Sequence, residues 1–144
     1  MVDDADEDIF FVKRAFEKSG VAQFFHSVND GNQAIAYLQA EGEFSDRSKF
    51  PFPNLLMTDL KMPGMNGYEL LEWIQKHPNC KVIPTIVFSS SSLESDIHRA
   101  YVLGANTYIV KPSDFIELVE TIRLLYEFWS RCQTPKPPLG DKCE

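Results

Sequence analysis

The sequence of 144 residues has little of several features that mark whole classes of protein. Its 14 Lys and Arg residues stand against 21 Asp and Glu residues, a net charge of −7, so it lacks the basic excess that nonspecific nucleic-acid binding needs. No apolar run approaches the roughly 18–20 residues of a membrane-spanning helix. No basic and apolar leader opens the printed chain, and we therefore expect neither a secretion signal nor membrane insertion.

Cysteine is also scarce. Cys80, Cys132 and Cys143 are odd in number and widely spaced, and they form no CxxC pair or zinc-binding pattern. We therefore expect reduced thiols and a cytoplasmic location. Hydrophobic residues make up 44% of the chain, a composition typical of a globular protein, and the length suits a single domain.

Short apolar runs alternate with segments of helical periodicity along the chain. The apolar runs predict strands at 23–28, 54–58, 82–88 and 107–110. Helical spacing predicts helices over 6–19, over 31–40, between Gly67 and His77, between Ser92 and Gly104, and after Ser113, which we expect to act as the helix cap. This alternation predicts an α/β fold with a parallel sheet and helices on both faces.

Two segments depart from this alternation. Residues 41–53 are rich in Gly, Ser and Pro with scattered Phe, which indicates an ordered surface loop held down by its aromatic side chains. Residues 131–144 carry several prolines that cannot continue a helix, and we expect this tail to be loose. The predicted organisation is one domain over 1–130, with an insertion at about 41–53, followed by a Pro-rich tail.

Polar residues follow successive predicted strands at the point where each strand ends. Asp3 and Asp4 follow Val2, Asp59 follows the run that ends at Thr58, and later runs are followed by Ser89 and Lys111. In an open parallel sheet these strand ends form one edge, where ligands bind. Clustered carboxylates suit Mg²⁺, and a carboxylate beside a bound metal can attack a phosphoryl group. A lysine and a hydroxyl can hold phosphoryl oxygens.

Four segments resemble the response regulator receiver domain, the CheY-like family. They are Val2-Asp3-Asp4, the nine residues Asp-Leu-Lys-Met-Pro-Gly-Met-Asn-Gly at 59–67, Pro-Thr-Ile-Val-Phe-Ser at 84–89, and Gly-Ala-Asn-Thr-Tyr-Ile-Val-Lys-Pro at 104–112. The resemblance covers roughly residues 2–130. It implies a doubly wound, flavodoxin-like sheet with strand order 2-1-3-4-5 and helices on both faces.

The resemblance assigns Asp59 the role of phosphoacceptor. It implies a Mg²⁺ site in which Asp4 and Asp59 bind the metal directly, Asp3 helps through water, and the backbone carbonyl of Lys61 completes the protein ligands. The receiver is then a phosphoacceptor signalling domain rather than an enzyme, with slow self-dephosphorylation.

The resemblance also implies a conformational switch. Ser89 is similar to the hydroxyl that moves to the phosphoryl group, and Lys111 to the cation that contacts the phosphoryl group. Tyr108 matches the switch aromatic, whose ring moves between exposed and inward positions. The Lys111–Pro112 peptide is expected to be cis. Lys61 and Ser91 lie at the variable positions that tune phosphoryl lifetime in the family.

A finer resemblance concerns partners. The loop before Asn54, the segment 101–103 and the Phe128-Trp129 ending look like those of stand-alone receivers paired with phytochrome-type or other sensor kinases. This implies a sensor histidine kinase as donor and a protein, either an output partner or a further phosphotransfer protein, as recipient. We also expect a homodimer through the last strand and the last two helices, with Tyr126 and Trp129 at the interface.

Two alternatives stay open at this point. The first is a pseudo-receiver, a protein-binding or dimerisation module that is never phosphorylated. The second is a magnesium-dependent phosphohydrolase that forms an aspartyl phosphate. That chemistry usually wants an acid two residues after the nucleophile, where this chain has Lys61.

The sequence departs from the receiver pattern at its start, because only Met1 and Val2 precede Asp3 where a buried strand is expected. In the order 2-1-3-4-5 that strand is interior, so its loss leaves neighbouring backbone groups unpaired and opens the hydrophobic faces of the sheet. We expect a shortened chain start, a substitute segment or strand exchange between chains, and favour the first. Asp3 and Asp4 are then expected to extend from a weakly anchored end.

Overall fold

Three parallel strands form the sheet in the computed structural model, which describes residues 1–20, 25–138 and 140–143. They are β1 (Leu56–Thr58), β2 (Thr85–Ser89) and β3 (Thr107–Val110), and β2 lies in the middle. Every residue of β1 and β2 is buried, as expected of strands covered on both faces.

Helices precede, connect and follow these strands. Within the described ranges the helices are α1 (Asp6–Lys18), α2 (Gly31–Gln39), a short 3₁₀ helix (Gly42–Ser45), α3 (Gly67–Lys76), α4 (Pro78–Lys81), α5 (Glu94–Val102) and α6 (Phe115–Arg131). The predicted helices are confirmed with small shifts at their ends. None of the described helices combines the length and the apolar character needed to cross a membrane.

Two helix ends differ from their predictions for local chemical reasons. The cap of α6 is Asp114 and not Ser113, because the Asp114 carboxylate accepts a hydrogen bond from the Glu117 N–H at 3.1 Å. Pro78 ends α3 as predicted and also begins α4, where its missing N–H costs nothing in the first helical turn.

The two faces of the sheet bury different helices, as the α/β pattern predicts. Alternate side chains of a strand point to opposite faces. Met57 and Phe88 pack with α1 and α6 through Val12 and Ile122. On the other face Leu56 packs with α2, α3 and α4, and Val87 with α3 and α5.

One residue stands where the predicted first strand runs. Val2 forms parallel bridges to Val28 and to Thr58. Its N–H donates to the Met57 carbonyl at 2.8 Å, and its carbonyl accepts from the Asp59 N–H at 2.9 Å. The Val2 segment therefore lies between the Val28 segment and β1. This confirms the order 2-1-3-4-5, with β1, β2 and β3 in the third, fourth and fifth places.

The start of the chain is anchored on its other side as well. The Asp3 N–H donates to the Val28 carbonyl at 3.1 Å, and the Val28 N–H donates to the Met1 carbonyl at 2.9 Å. Asp3 is fully buried. The expectation that Asp3 and Asp4 extend from a weakly anchored end is therefore wrong, because a single residue, paired on both sides, holds them. Of the strand predicted at 23–28, residues 23–24 lie outside the described residues, residues 25–27 are not strand, and Val28 forms the bridge to Val2.

A cavity of about 560 Å³ opens beside Met1. Its apolar lining includes Leu56 of β1, Leu38 of α2, and Leu125 and Trp129 of α6.

The loop at 41–53 is held down by aromatic packing, as predicted. Phe44 is buried, and its ring centroid lies 5.2 Å from those of both Tyr37 and Phe50. The Tyr37 hydroxyl donates to the Pro51 carbonyl at 2.9 Å. The insertion is thus part of the core packing around α2.

The expectation of three reduced thiols is wrong. Cys80 of α4 and Cys143 form a disulfide with Cα atoms 5.4 Å apart, within the usual range for such bonds. Both residues are buried, and Cys132 is free. The two paired cysteines lie 63 residues apart in the chain, and their spacing in the sequence does not indicate that they pair.

The tail is also not loose at its described end. The Cys143 N–H donates to the Leu38 carbonyl at 2.9 Å. The Arg47 guanidinium donates to the carbonyls of Asp141, Phe50 and Leu38 at 2.6, 3.1 and 3.0 Å. The tail therefore returns to α2 and the 41–53 loop, while residues 139 and 144 lie outside the described chain.

Candidate functional site

The carboxyl ends of the strands bring the predicted residues to one edge of the sheet. Asp59 follows β1, Ser89 ends β2 and Lys111 follows β3. Asp3 follows the Val2 bridge beside β1. Asp3, Asp59 and Ser89 are buried. Burial is unusual for carboxylates such as those of Asp3 and Asp59, and it requires polar partners.

The ammonium of Lys111 is the partner of these buried carboxylates. Its Nζ lies 2.7 Å from Asp3 Oδ2, 2.7 Å from Asp8 Oδ2 and 3.0 Å from Asp59 Oδ2. An ammonium has three N–H donors, so each of the three carboxylates can accept one. The structure thus brings together Asp3, Asp59 and Lys111, as the strand-end pattern predicts.

The electrostatics of this cluster follow from burial and pairing. Burial disfavours the charge on Lys111, but hydrogen bonds to Asp3 and Asp8 and the charge of Asp59 outweigh it and raise the pKa of Lys111. Burial raises the pKa of Asp3, against the hydrogen bonds from Lys111 and from the Ala5 N–H. Lys111 is therefore charged at neutral pH and offsets part of the acidic cluster.

Sequence reasoning missed Asp8. It lies in the first turn of α1, and its carboxylate points back to the strand-end edge, where it accepts a hydrogen bond from Lys111. The available signal was its position: Asp8 follows Asp4 by four residues, one helical turn, at the start of the helix that leaves this edge.

The oxygens of Asp3, Asp4 and Asp59 form a donor set for a hard cation. One carboxylate oxygen from each lies within 4.8 Å of the others, and Asp4 is exposed to solvent. Three hard oxygen donors at this spacing fit a small divalent cation that keeps several waters. The Lys61 side chain turns away from this set, and its Nζ lies 3.6 Å from Asp96 Oδ2.

Backbone geometry fixes the Asp59 carboxylate. Its Oδ1 accepts from the Leu60 N–H at 2.6 Å, and its Oδ2 accepts from Lys111. The start of α3 approaches this loop so closely that a Cβ at Gly67 would overlap the Asp59 carbonyl oxygen. Asn66, just before it, caps α3 through a reciprocal pair of hydrogen bonds with Glu69.

A hydrogen-bond network extends from Ser89 toward α5 and β3. The Ser91 N–H contacts Ser89 Oγ at 3.4 Å, and the Tyr108 hydroxyl donates to the Ser91 carbonyl at 2.9 Å. The Ser91 hydroxyl donates to Asp96 Oδ2 at 2.5 Å, and the Tyr68 hydroxyl donates to Asp96 Oδ1 at 2.8 Å. Tyr108 is half-buried, with its hydroxyl directed toward the loop after β2.

The expected cis peptide at Lys111–Pro112 is wrong for this structure, in which the bond is trans. The trans form of an X–Pro bond is favoured by about 0.5–1 kcal/mol. The Lys111 N–H donates to the Ser89 carbonyl at 2.8 Å, and its ammonium reaches all three carboxylates in this form. The trans geometry therefore already satisfies the contacts of the lysine.

The sequence of the chain was compared with those of known protein families and proteins. Residues 1–123 match the response regulator receiver domain family. Response regulator Rcp1 of Synechocystis sp. is 31% identical over 129 residues, which cover 90% of this chain and 86% of Rcp1.

Solved structures agree with the sequence match. The phosphorylated cyanobacterial phytochrome response regulator RcpA has a TM-score of 0.83 and 35% identity, with 94% of this chain and 95% of RcpA covered. The Mn²⁺-bound form of Rcp1 has a TM-score of 0.81 and 30% identity, with 94% and 96% covered. Response regulator RPA3017, from red light signalling of R. palustris, has a TM-score of 0.88 and 29% identity, with 94% and 96% covered.

The family match spans most of the chain, and the strand order and the acidic edge agree with it. At the same edge, the Lys111 ammonium contacts the Asp59 carboxylate. The chain therefore belongs to the response regulator receiver domain family and has the fold and the signalling function of a receiver in a two-component phosphorelay.

Proposed function

We propose that Asp59 accepts a phosphoryl group from a phosphohistidine of a sensor histidine kinase. The observation that carries this proposal is the contact of Lys111 Nζ with Asp59 Oδ2 at 3.0 Å, beside the Asp3–Asp4–Asp59 donor set. A nucleophilic carboxylate, a cation for the phosphoryl oxygens and hard metal donors occupy one edge. The similarity to RcpA, a phytochrome response regulator, supports a kinase of the phytochrome type as the donor.

The transfer is a substitution at phosphorus. The bond from phosphorus to the imidazole nitrogen of the kinase breaks, and the bond from phosphorus to an Asp59 carboxylate oxygen forms. The imidazole leaves with the electron pair and no group is oxidised or reduced. Lys111 stays protonated, as its raised pKa requires, and directs an N–H to the incoming phosphoryl oxygens.

The donor set supports Mg²⁺ as the metal of this reaction. Asp4 and Asp59 would bind it directly, Asp3 through water, and the Lys61 backbone carbonyl would complete the protein ligands. A divalent cation held by these residues would supply positive charge that offsets the charge of the phosphoryl oxygens. The Mn²⁺-bound form of Rcp1 supports a divalent cation at a receiver edge of this kind.

Ser89 and Tyr108 are the proposed switch. Phosphorylation draws the Ser89 hydroxyl toward the phosphoryl group, which removes the Ser91 N–H contact and changes the loop that Tyr108 holds. Both side chains lie on neighbouring strands, since Ser89 ends β2 and Tyr108 belongs to β3. The new group at Asp59 thereby shifts an existing equilibrium of the β3 face.

The β3 face, formed by α5, β3 and α6, is the proposed surface for a homodimer or an output partner. Tyr126 and Trp129, the interface residues predicted from sequence, are only half-exposed and line the cavity beside Met1. The large apolar side chains exposed on this face are instead Tyr101, Val102, Val110, Ile116, Leu124 and Phe128. Exposed apolar groups in this density mark interaction surfaces, and sedimentation of the free and phosphorylated chain tests the dimer.

The two alternatives receive less support. A pseudo-receiver has no need for a lysine held against the acceptor carboxylate, and this chain has one. A phosphohydrolase wants an acid where Lys61 stands, and the Lys61 ammonium contacts Asp96. We therefore infer a phosphoacceptor with slow self-dephosphorylation and not a dedicated enzyme.

The proposed receiver unit is 1–130, with the tail packed back on it. Sensor kinases draw their phosphoryl group from ATP, so we propose the cytoplasm as the place of transfer. Disulfides are rare in the cytoplasm, because reducing thiols there can reduce those that form. The stability of the chain with and without the Cys80–Cys143 disulfide is therefore worth measuring.

Transfer is tested with the purified chain and a phosphorylated histidine kinase or acetyl phosphate, with Mg²⁺ or with EDTA. The expected product is an acid-labile phosphoryl group that forms with Mg²⁺ and is absent from Asp59→Asn. Full labelling of Asp59→Asn, or acid-stable labelling, would defeat the assignment of Asp59.

A further inference from the structure

Asp8 contacts Lys111 as closely as Asp3 does, and the proposed receiver function gives Asp8 no role. The distance from Asp8 Oδ2 to Lys111 Nζ is 2.7 Å, shorter than the 3.0 Å from Asp59 Oδ2. Among the described residues, the carboxylates that lie close enough together to hold a metal are Asp3, Asp4 and Asp59, and Asp8 is not one of this group. Asp8 is therefore a partner of the lysine and separate from the metal donors.

We propose that Asp8 is a positioning residue that holds the Lys111 ammonium for phosphoryl transfer. This inference rests on the proposed function of Asp59 as the acceptor. Asp8 does not contact the reacting atoms itself. It acts through Lys111, by fixing where the ammonium lies and where its N–H donors point.

The geometry of an ammonium gives the reason. Its three N–H groups rotate together about the Cε–Nζ bond and keep fixed angles to one another. Asp3 and Asp8 hold two of them, at 2.7 Å each, and the third is left for Asp59. Two held donors thus aim the third at Oδ2 of Asp59, the proposed acceptor.

Asp8 is the only one of these three carboxylates without a second proposed role. Asp59 is the acceptor, and Asp3 belongs to the metal donor set. If Lys111 were held by Asp3 and Asp59 alone, both of its partners would also have to serve the phosphoryl transfer, one as a metal donor and the other as the acceptor. Asp8 supplies an anchor that the reaction does not engage.

The backbone of Asp8 is fixed well enough for this role. Val12, one turn later in α1, is buried against α6 with Ile122. The Lys111 side chain is only 12% exposed, whereas that of Asp8 is 41% exposed. A charge-assisted hydrogen bond that is partly open to solvent is worth less than a buried one, so we expect a moderate effect of about threefold to tenfold in rate.

The first test compares Asp8→Asn, Asp8→Glu and the control Asp6→Asn. Asp6 belongs to the same helical turn, but its carboxylate accepts from Asn29 Nδ2 at 3.3 Å and is not a partner of Lys111. The two Asn variants change the net charge equally, so the comparison separates local pairing from overall charge. The measured quantity is the initial rate of acid-labile phosphorylation by acetyl phosphate with Mg²⁺.

Asp8→Asn is expected to react about threefold to tenfold more slowly than the unaltered chain. Asp8→Glu keeps a carboxylate at this half-exposed position, and is expected to restore most of the rate. Asp6→Asn is expected to match the unaltered chain. An unchanged rate in Asp8→Asn, or equal losses in the Asn and Glu variants, overturns the positioning role.

The second test needs no phosphoryl transfer. Acetic anhydride acylates lysine amines, and peptide mass spectrometry gives the extent at Lys111 relative to the exposed Lys49 of the same molecule. Asp8→Asn is expected to increase acylation of Lys111, because one of its three anchors is gone. Equal acylation in both proteins refutes the anchor. If the unaltered chain takes up no phosphoryl group, the proposed function fails, and this measurement still decides whether Asp8 holds Lys111.

Discussion

Breaking the Cys80–Cys143 disulfide is expected to destabilise the fold by about 4 kcal/mol. The bond joins residues 63 apart in the chain. Closing a loop of that length removes about 14 cal/mol/K of entropy from the unfolded chain, which is about 4 kcal/mol at 25 °C. In a domain of this size the same loss lowers Tm by about 8–16 °C.

The loss is confined to the covalent link because the tail keeps other contacts. Arg47 still donates to the carbonyls of Leu38 and Asp141 when the disulfide is reduced. The Cys143 N–H can likewise keep its hydrogen bond to Leu38. Reduction should therefore lower the free energy of unfolding without preventing folding.

Urea unfolding with and without a thiol reductant measures this effect. The matched variants are Cys143→Ala, in which reductant should have no further effect, and Cys132→Ala, which keeps the disulfide and should respond as the unaltered chain does. Two results refute the reasoning: equal stability of the oxidised and reduced chain, or alkylation of all three cysteines without reductant.

Two further predictions concern the charged edge. Lys111→Met should lower the free energy of unfolding by about 3 kcal/mol in EDTA, because it leaves buried Asp3 and Asp59 without their cation. Added Mg²⁺ should reduce this loss. Equal stability of the variant and the unaltered chain in urea unfolding would contradict the prediction. Burial and the hydrogen bond to Asp96 raise the pKa of Tyr68 from 10.0 to about 12, so the folded chain keeps a proton that the unfolded chain loses. Stability should therefore fall as pH rises from 10 to 12, and Tyr68→Phe should lose that part of the fall, with phenolate absorbance reporting the titration.

The apolar runs predicted the sheet well because buried parallel strands leave a strong local signal. The runs ending at Thr58 and at Phe88 became β1 and β2. The strand-end positions of Asp59 and Lys111 then followed from topology alone. Residue type and order along the chain were enough for this part of the site.

The remaining features depend on contacts between distant segments. Asp8 reaches Lys111 across 103 residues, and its position one helical turn after Asp4 does not by itself indicate that contact. Cys80 and Cys143 pair because the tail folds back, which the prolines of the tail do not indicate. The anchoring of Asp3 depended on Val2 pairing on both sides, which an apparently missing strand concealed.

Borohydride trapping tests the central claim most directly. Borohydride reduces an aspartyl phosphate to homoserine, and peptide mass spectrometry then gives the residue that carried the phosphoryl group. After reaction of the full chain with a phosphorylated kinase and Mg²⁺, the account predicts homoserine at position 59 and an unaltered residue at Asp3, Asp4 and Asp8. Homoserine at one of those three positions, or none at 59 in a chain that carries an acid-labile phosphoryl group, would contradict it.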